Sequence, residues 1–475
     1  MNARIRNLFG LVTLLFALLI AFTTYWSVFE ADELEANRAN KRPLLEEQQI
    51  RRGLILARDG RVLARNRAVG DSPRFYERIY PEGALFGHPV GYSFVERGRV
   101  ALEREYNDDL TGKQDEFQSL LDEVRGRERE GNDVFTTLDP QAQQVARDGL
   151  AGRTGSVVAI EPASGRIRTL VSIPGYDPND IPGRFGDLRR APGSPLLDRA
   201  VQSGYPPGST MKVVTATAAL DSGKYTPTSV VDGKSPKRIG GVPLNNFGNK
   251  DFGPITLTTA LTNSVNTVWG EVGEKLGKRT MFDYMRRYGF DRKPLIDLPN
   301  DEIRASGVYA RNGRLLSASD AIDIGRVAIG QERLQVTPIQ MALVAAGVAN
   351  GGSLMRPHLV EQIKDRDGRT VRREKPSEQN RVMKESTAAQ LGAMMANVVE
   401  EGTGTAAALQ GISVAGKTGT AEVGTTINQA WFIGFAPVDN PRVAVAATVE
   451  RTTGQGGTIA APIAKSVMES LLRAP

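Results

Sequence analysis

The chain has 475 residues, with 60 lysines and arginines against 54 aspartates and glutamates, and a net charge of +6. It contains no cysteine and two histidines, His88 and His358. This composition excludes thiol nucleophiles, disulfides and cysteine-ligated metal centres, and it leaves little room for a multi-histidine metal site. We therefore expect no metal and no cofactor, and we expect acid–base chemistry to rest on lysine, aspartate, glutamate or tyrosine.

Basic residues are concentrated early in the chain, between residues 38 and 67. A nucleic-acid-binding protein normally carries a stronger basic patch with interleaved aromatic residues. We therefore predict no nucleic-acid partner. These residues form either an ordinary solvated face or a region that is attracted to an anionic membrane or polymer surface.

The amino-terminal segment indicates a membrane anchor. Residues Leu8–Phe29 carry no charge, and a helix of this length, about 33 Å at 1.5 Å per residue, crosses a bilayer core. Arg4 and Arg6 precede it and acidic residues follow it, which predicts a single-pass protein of the cell membrane with a cytoplasmic amino terminus and an extracytoplasmic body. The alternatives are a buried core helix and a cleaved signal peptide, which has a shorter apolar region.

The region after the anchor suggests a separate small domain. Residues 30–50 are charged and polar and are expected to form a stalk. Asp59-Gly60 lies between alternating apolar positions, which predicts a β-hairpin. A short helix is predicted by four residues at the spacing of one helical face, Phe117, Leu120, Leu121 and Val124. We place a domain boundary near residue 133, after a charged link that contains glycine.

The rest of the chain indicates one mixed domain. Asp139 followed by Pro140 marks a helix start, and residues 156–173 predict two strands joined by a turn. Three more strands are predicted in ISVAGKTGTAE, AWFIGFAP and VAVAATVE, before a closing helix from about Ala461 to Leu472. The residues between these two groups indicate mostly helices and loops. Strands at both ends predict an α+β domain whose sheet is completed by distant segments.

Ser209 and Lys212 form the first candidate for chemistry. A Pro-Pro-Gly turn leads abruptly to Ser209, and a helix is predicted to continue through Lys212 to a stop near Gly223. Residues three apart on a helix share a face, and a neutral lysine there can activate a serine hydroxyl as a nucleophile. The helix is apolar nearly all round, so it carries the lysine inward. Taken alone, a serine helix cap with a snorkelling lysine is the default explanation of the pair.

Ser264-Val265-Asn266 is the second candidate, at the start of an amphipathic helix. In a functional interpretation, Ser264 passes protons and Asn266 binds a substrate amide. The alternative is that Ser264 or Asn263 merely caps the helix.

Lys417-Thr418-Gly419, followed by Thr420, is the third candidate and lies on a predicted strand. Lys417 offers a positive charge for an anionic substrate, and the two threonines offer hydroxyls. Glycine within a strand often marks the close approach of a ligand or another backbone. A phosphate-binding loop is the alternative, but it needs several preceding glycines and a following helix.

The motifs Ser-x-x-Lys, Ser-x-Asn and Lys-Thr-Gly occur once each and in this order. In this the chain resembles the penicillin-binding proteins and serine β-lactamases, whose three motifs build one active site. Further stretches from about residue 50 onward, such as RRGLILARDGRVLA and DRAVQSGYPPGSTMK, are similar to class B penicillin-binding proteins. One departure is Glu332, where the resemblance leads us to expect glycine.

The resemblance implies a fold and a division into domains. The catalytic domain is expected to contain an antiparallel five-stranded sheet with helices on both faces, as in serine β-lactamases. It would follow an elongated pedestal domain and a single transmembrane helix. The expected segments are a cytoplasmic tail (1–7), a transmembrane helix (8–29), a pedestal or dimerisation domain (30–133) and a transpeptidase domain (134–475).

The resemblance also implies a peptidoglycan D,D-transpeptidase of bacterial cell-wall synthesis that β-lactam antibiotics inhibit covalently. Ser209 would attack the carbonyl between two D-alanines of a stem peptide, with Lys212 as the base and Ser264 delivering a proton to the leaving D-alanine. The backbone N–H groups of Ser209 and Thr420 would form the oxyanion hole. Lys417 would help to lower the pKa of Lys212. The substrate would be bound by Asn266, Lys417, Thr418, Gly419 and Thr420.

The partner implied by the resemblance is a polytopic membrane glycan polymerase of the shape and division family, because the chain before the catalytic domain is too short for a glycosyltransferase module. Three alternatives remain open. A D,D-carboxypeptidase or a β-lactamase would pass the acyl group to water. A penicillin-sensing receptor would need a cytoplasmic signalling domain, and we expect none before the anchor. A non-catalytic scaffold is the third.

Overall fold

The structure of the protein is a computed structural model that describes residues 3–30, 47–70, 75–113 and 130–473. The short helix predicted around Leu120, and most of the predicted stalk, lie outside the described residues.

The first helix, α1, spans Ala3–Thr24 and continues as a π-helical turn over Tyr25–Phe29. Within the span Ala3–Val28, the most apolar stretch of 18 residues has a mean hydropathy of 2.2 and is not buried against other described parts of the chain. By length and composition this helix can cross a membrane. It begins before Leu8 because Arg4 and Arg6 are good helix formers and extend it.

The other helices of the described residues are α2 (Gly87–Val90), α3 (Ala101–Glu105), α4 (Asn107–Thr111), α5 (Pro140–Leu150), α6 (Ile181–Arg190), α7 (Lys212–Asp221), α8 (Leu257–Thr262), α9 (Asn266–Arg287), α10 (Ile324–Ala328), α11 (Pro338–Ala349), α12 (Glu385–Glu400) and α13 (Gly456–Arg473). The strands are β1 (Ile55–Leu56), β2 (Val62–Val69), β3 (Phe75–Ile79), β4 (Ser93–Phe94), β5 (Gly98–Arg99), β6 (Asp133–Thr136), β7 (Gly155–Ile160), β8 (Ile167–Ile173), β9 (Val230–Asp232), β10 (Lys237–Ile239), β11 (Val242–Leu244), β12 (Pro254–Thr256), β13 (Gly307–Val308), β14 (Leu334–Gln335), β15 (Ser353–Met355), β16 (Val360–Lys364), β17 (Thr370–Arg373), β18 (Glu378–Arg381), β19 (Ala415–Glu422), β20 (Asn428–Ala436) and β21 (Val443–Thr452).

A six-stranded sheet has the strand order β17-β16-β6-β1-β2-β3. It contains the first three strands after α1 together with β16 and β17 from late in the chain. The hairpin predicted at Asp59-Gly60 is confirmed, since β1 and β2 are antiparallel and Gly60 has φ +86°. Strand β6 pairs parallel to β1 and antiparallel to β16. The sheet therefore takes strands from both sides of residue 133, where we placed the domain boundary.

A five-stranded antiparallel sheet in the order β19-β20-β21-β7-β8 forms the centre of the larger part. Alternate residues of a strand face opposite sides. Val157 and Ala159 pack with α5 and α13, whereas Val158 and Ile160 face the main core that contains α11. The α+β class and the joining of distant strands are thus confirmed, with helices on both faces of the sheet.

Two details differ from the prediction. The central region contains short strand pairs as well as helices and loops, such as β10–β11, which are joined by Gly240 and Gly241 in left-handed conformations. Such three-residue strands are too short to show alternation in the sequence. The closing helix α13 begins at Gly456 rather than near Ala461, because Gly456 and Gly457 are poor helix formers that conceal its start.

Candidate active site

The Pro-Pro-Gly turn leads into a 3₁₀ turn over Gly208–Met211, and α7 then begins at Lys212. Gly208 has φ +52°, its N–H donates to Gly330 O at 3.1 Å, and a Cβ here would lie 2.9 Å from Thr420 O. Glycine is required because the turn crosses the third motif so closely. The result is a partly exposed Ser209 above a fully buried Lys212.

The second motif meets the first at the Lys212 amine. Lys212 Nζ donates to Ser264 O at 2.7 Å and to Asn266 Oδ1 at 2.6 Å, and it lies 3.2 Å from Ser264 Oγ. All three partners are neutral oxygens, so no carboxylate at this amine balances a positive charge on Lys212. The lysine is therefore buried and bound, in contrast to a snorkelling lysine.

Ser264 lies in the break between α8 and α9, with φ +58°. The N-cap of α9 is Val265, which makes no side-chain cap. The explanation of Ser264 as a simple helix cap is therefore wrong. Its left-handed backbone turns both its carbonyl and its hydroxyl toward Lys212.

The third motif lies on β19, which is an edge strand of the five-stranded sheet. Lys417 is fully buried and donates to Thr418 O at 3.1 Å. Gly419 faces the nucleophile turn, since a Cβ there would lie 2.7 Å from Pro207 O. Thr420 is partly exposed, and its Oγ1 accepts from Gly456 N at 3.1 Å. The strand thus brings its motif against the turn that carries Ser209.

The electrostatics of the site are set by two buried lysines. Burial, followed by the charge of Lys417, holds the pKa of Lys212 well below its ordinary value of 10.5. Burial lowers the pKa of Lys417 to about 7. Burial therefore favours the neutral form of Lys212, which can accept a proton, while Lys417 titrates near neutral pH.

The two histidines bond elsewhere: His88 Nε2 lies 2.9 Å from Pro195 O, and His358 Nδ1 lies 3.4 Å from Arg356 O. Within the part of the chain that the structure describes, no group of three or more metal-ligating side chains could hold a metal ion.

Two contacts of the motifs were missed by the sequence reasoning. Thr403 Oγ1 lies 2.6 Å from Thr418 Oγ1. Gly330 has φ +78°, and a Cβ there would lie 1.9 Å from Gly208 O. Both residues are remote in sequence from the motif that they contact, so no local pattern reveals them. The signal that the sequence did offer was glycine, which often marks a close approach of two backbones: it flanks Thr403 in GTGT and is Gly330 itself in IGQER.

Residues 155–469 match the family described as the penicillin binding protein transpeptidase domain, and residues 52–134 match the penicillin binding protein A dimerisation domain. The chain belongs to the penicillin-binding protein transpeptidase family. This confirms the membership that the three motifs predicted, and every candidate site residue lies within the transpeptidase match.

Relatives within this family are similar along the whole chain. The sequence is 36% identical to the peptidoglycan D,D-transpeptidase PbpA of Mycolicibacterium smegmatis, covering 100% of this chain and 99% of that protein. It is 34% identical to PbpA of Mycobacterium tuberculosis over the same shares. The structure is similar to a ceftriaxone acyl-enzyme complex of penicillin-binding protein A from M. tuberculosis, with a TM-score of 0.82, 33% identity, and coverage of 90% of this chain and 100% of that one.

Proposed function

We propose that this member of the family is a peptidoglycan D,D-transpeptidase, which crosslinks stem peptides through a serine acyl-enzyme and releases D-alanine. One observation supports this most: the Lys212 amine is fully buried and bonded to neutral oxygens, three residues after the partly exposed Ser209. A neutral amine in that place is suited to take the proton of a serine nucleophile.

Acylation begins when Ser209 Oγ attacks the carbonyl carbon between the two D-alanines, while Lys212 takes the hydroxyl proton. The backbone N–H groups of Ser209 and Thr420 stabilise the charge that develops on the carbonyl oxygen. The carbon–nitrogen bond then breaks. The proton passes from Lys212 through the hydroxyl of Ser264, which is 3.2 Å from Nζ, to the nitrogen of the leaving D-alanine.

The terminal carboxylate of the stem peptide is held by Lys417, Thr418 and Thr420, and the amide of Asn266 contacts the peptide backbone. Gly419 leaves room between β19 and the nucleophile turn. Because the carboxylate is negative, its binding favours the charged form of Lys417.

In the second half of the reaction, an amine of a neighbouring stem peptide attacks the ester. Its lost proton restores the Ser209 hydroxyl, and the new amide bond is the crosslink. A β-lactam is attacked in the same way at its ring amide. The nitrogen that is freed stays tethered to the acyl group and obstructs the acceptor, which accounts for covalent inhibition.

The setting of the enzyme is also part of the proposal. Arg4 and Arg6 at the amino-terminal end of α1, and Glu30 after the helix, favour a cytoplasmic amino terminus with the catalytic domain outside the cell membrane. A pedestal domain over residues 30–133 then carries a transpeptidase domain over residues 134–475. Since the proposed chemistry joins peptides and not sugars, a polytopic membrane polymerase supplies the glycan strands.

The test uses the full-length protein in detergent with a fluorescent penicillin. We expect the wild type to form a covalent adduct, Ser209→Ala to form none, and Ser222→Ala, at the far end of α7, to behave as the wild type. An adduct on Ser209→Ala overturns the assignment.

A second measurement separates the transpeptidase from its alternatives. With a pentapeptide and a D-amino acid as acceptor, D-alanine release with incorporation of the acceptor supports transpeptidation. Release without incorporation indicates a carboxypeptidase, and an adduct that decays within milliseconds indicates a β-lactamase.

A further inference from the structure

Asn246 lies outside the three motifs, yet every hydrogen-bonding position of its side chain is occupied. It is 3% exposed. Its Nδ2 donates to Gly233 O at 2.9 Å and to Lys250 O at 3.0 Å, and its Oδ1 accepts from Thr267 N at 3.0 Å and from Thr267 Oγ1 at 3.1 Å. A buried amide with two donors and two acceptor bonds is fixed in one orientation.

The bonds to Thr267 reach the first turn of α9, which begins at Asn266. The first N–H groups of a helix have no partner within the helix, and the N-cap residue Val265 supplies no side-chain bond. Asn246 supplies that acceptor from another segment of the chain. It therefore ties the 245–250 turn to the helix end that carries the second motif.

The neighbouring residue, Asn245, contacts the motif directly. Its carbonyl oxygen accepts from Asn266 Nδ2 at 3.1 Å. Because a carbonyl can only accept, the amino group of Asn266 has to face Asn245, and its Oδ1 then faces Lys212 at 2.6 Å. The reverse orientation would place an amino group against Lys212 and two oxygens against each other.

We propose that Asn246 is a positioning residue for acylation: it holds the Asn245 carbonyl where that carbonyl orients Asn266 and, through Asn266, Lys212. This inference rests on the proposed function, because Lys212 is the base of that reaction.

A positioning role has a consequence that a general loss of stability does not have. Asn266 Oδ1 accepts from Lys212, and an acceptor stabilises the charged form of the lysine. If Asn266 is free to rotate, Lys212 loses this acceptor and its pKa falls further. The charge that acts on Lys212 from another element is that of Lys417 on β19, and this charge is unchanged by a substitution at Asn246.

The experiment measures the second-order rate constant of acylation by a fluorescent penicillin against pH, on the full-length protein. Asn246→Ala removes the side-chain bonds to Gly233, Lys250 and Thr267 without adding a charge near Lys212. We expect a rate constant about tenfold to a hundredfold lower, with the acid limb of the pH profile moved to lower pH. Thr267→Val, which removes one hydroxyl bond, is expected to show a smaller loss in the same direction.

The matched control is Asn380→Ala. Asn380 lies on β18, and its side chain also donates to a backbone carbonyl, that of Arg287. This variant is expected to keep the wild-type rate constant and pH profile. Rates are expressed per active molecule, counted as adduct at saturating penicillin, so a misfolded fraction does not enter them.

A double-mutant cycle decides how the effect arises. In an Asn266→Ala background, Asn246→Ala is expected to cause no further loss, because the group through which it acts is gone. An equal loss in both backgrounds, or a wild-type rate and pH profile for Asn246→Ala, overturns the inference. If Asn246→Ala does not fold, Thr267→Val in the same two backgrounds gives the same decision. Failure of the proposed function differs in kind, since the wild type would then form no adduct or Ser209→Ala would form one.

Discussion

Ser264 presents both its carbonyl and its hydroxyl to one nitrogen, Lys212 Nζ, at 2.7 and 3.2 Å. It does so with φ +58°, a backbone region that L-residues other than glycine rarely adopt. Two backbone hydrogen bonds hold this conformation, from Ser264 N to Leu261 O at 3.1 Å and from Val265 N to Ala260 O at 2.9 Å. Because both oxygens are neutral, neither contact supplies a negative charge to balance a positive charge on Lys212.

This arrangement predicts the pH dependence of acylation. The productive form has a neutral Lys212 and a charged Lys417. We expect the rate constant for the free enzyme to rise as Lys212 loses its proton, well below 10.5, and to fall as Lys417 loses its proton near pH 7. At saturating stem peptide the alkaline limb is expected at higher pH, because the bound carboxylate favours charged Lys417. Stopped-flow acylation between pH 5 and pH 10 checks this, and a profile without an alkaline limb contradicts it.

Lys417→Met tests the coupling between the two lysines. Removing a neighbouring positive charge raises the pKa of Lys212, so the acid limb of the acylation profile is expected to move to higher pH. The KM for a D-Ala-D-Ala peptide is expected to increase as well, because the carboxylate loses its cation. Lys224→Met, on the exposed turn after α7, serves as the control. An unmoved acid limb would show that the two charges are not coupled.

The same substitution predicts a change in stability. Lys417 has a pKa of about 7 when folded and about 10.5 when unfolded, so the unfolded chain binds more protons between these values. Below pH 7 the burial of charged Lys417 lowers the free energy of unfolding of the wild type by its full amount. This destabilisation disappears as the pH rises to about 10.5. Lys417→Met is therefore expected to raise the free energy of unfolding by roughly 2 to 4 kcal/mol at pH 6. Denaturant unfolding at pH 6 and pH 10 checks this, and an advantage that is equal at both pH values contradicts it.

Local patterns predicted the features that depend on neighbouring residues. The apolar runs that form β7, β8 and β19–β21, the Asp59-Gly60 hairpin and the Asp139 cap were all visible in the sequence. The convergence of Ser209, Lys212, Ser264 and Lys417 was expected from the order of three motifs. The pairing of β16 with β6, the contact of Thr403 with Thr418 and the bond from Asn246 to Thr267 depend on where the chain returns after long intervals. No periodicity or turn signal encodes such contacts.

Thr403→Val tests a contact that sequence reasoning missed. Thr403 Oγ1 lies 2.6 Å from Thr418 Oγ1 and restricts the direction of that hydroxyl. A hydrogen bond of this kind contributes about 0.5–1.5 kcal/mol, so we expect a roughly twofold to tenfold increase in KM for a D-Ala-D-Ala peptide. The acid limb set by Lys212 is expected to stay in place. Thr405→Val, two residues along the exposed loop, is the control, and equal KM values for the two variants would contradict the prediction.

Glu332 occupies the position where the family resemblance led us to expect glycine, and it has φ +65°. A left-handed conformation costs a residue with a Cβ roughly 1–2 kcal/mol. Glu332→Gly removes this conformational cost. It also loses a partly exposed ion pair with Arg333, which contributes about 0–1 kcal/mol. Glycine in addition increases the conformational freedom of the unfolded chain, which costs roughly 0.5–1 kcal/mol of stability. We expect a net gain in the free energy of unfolding of up to about 1 kcal/mol, measured by thermal or denaturant unfolding. Glu332→Ala loses the same ion pair but keeps the Cβ, so it is expected to gain nothing. If Glu332→Ala stabilises the protein as much as Glu332→Gly, the backbone conformation is not the cause.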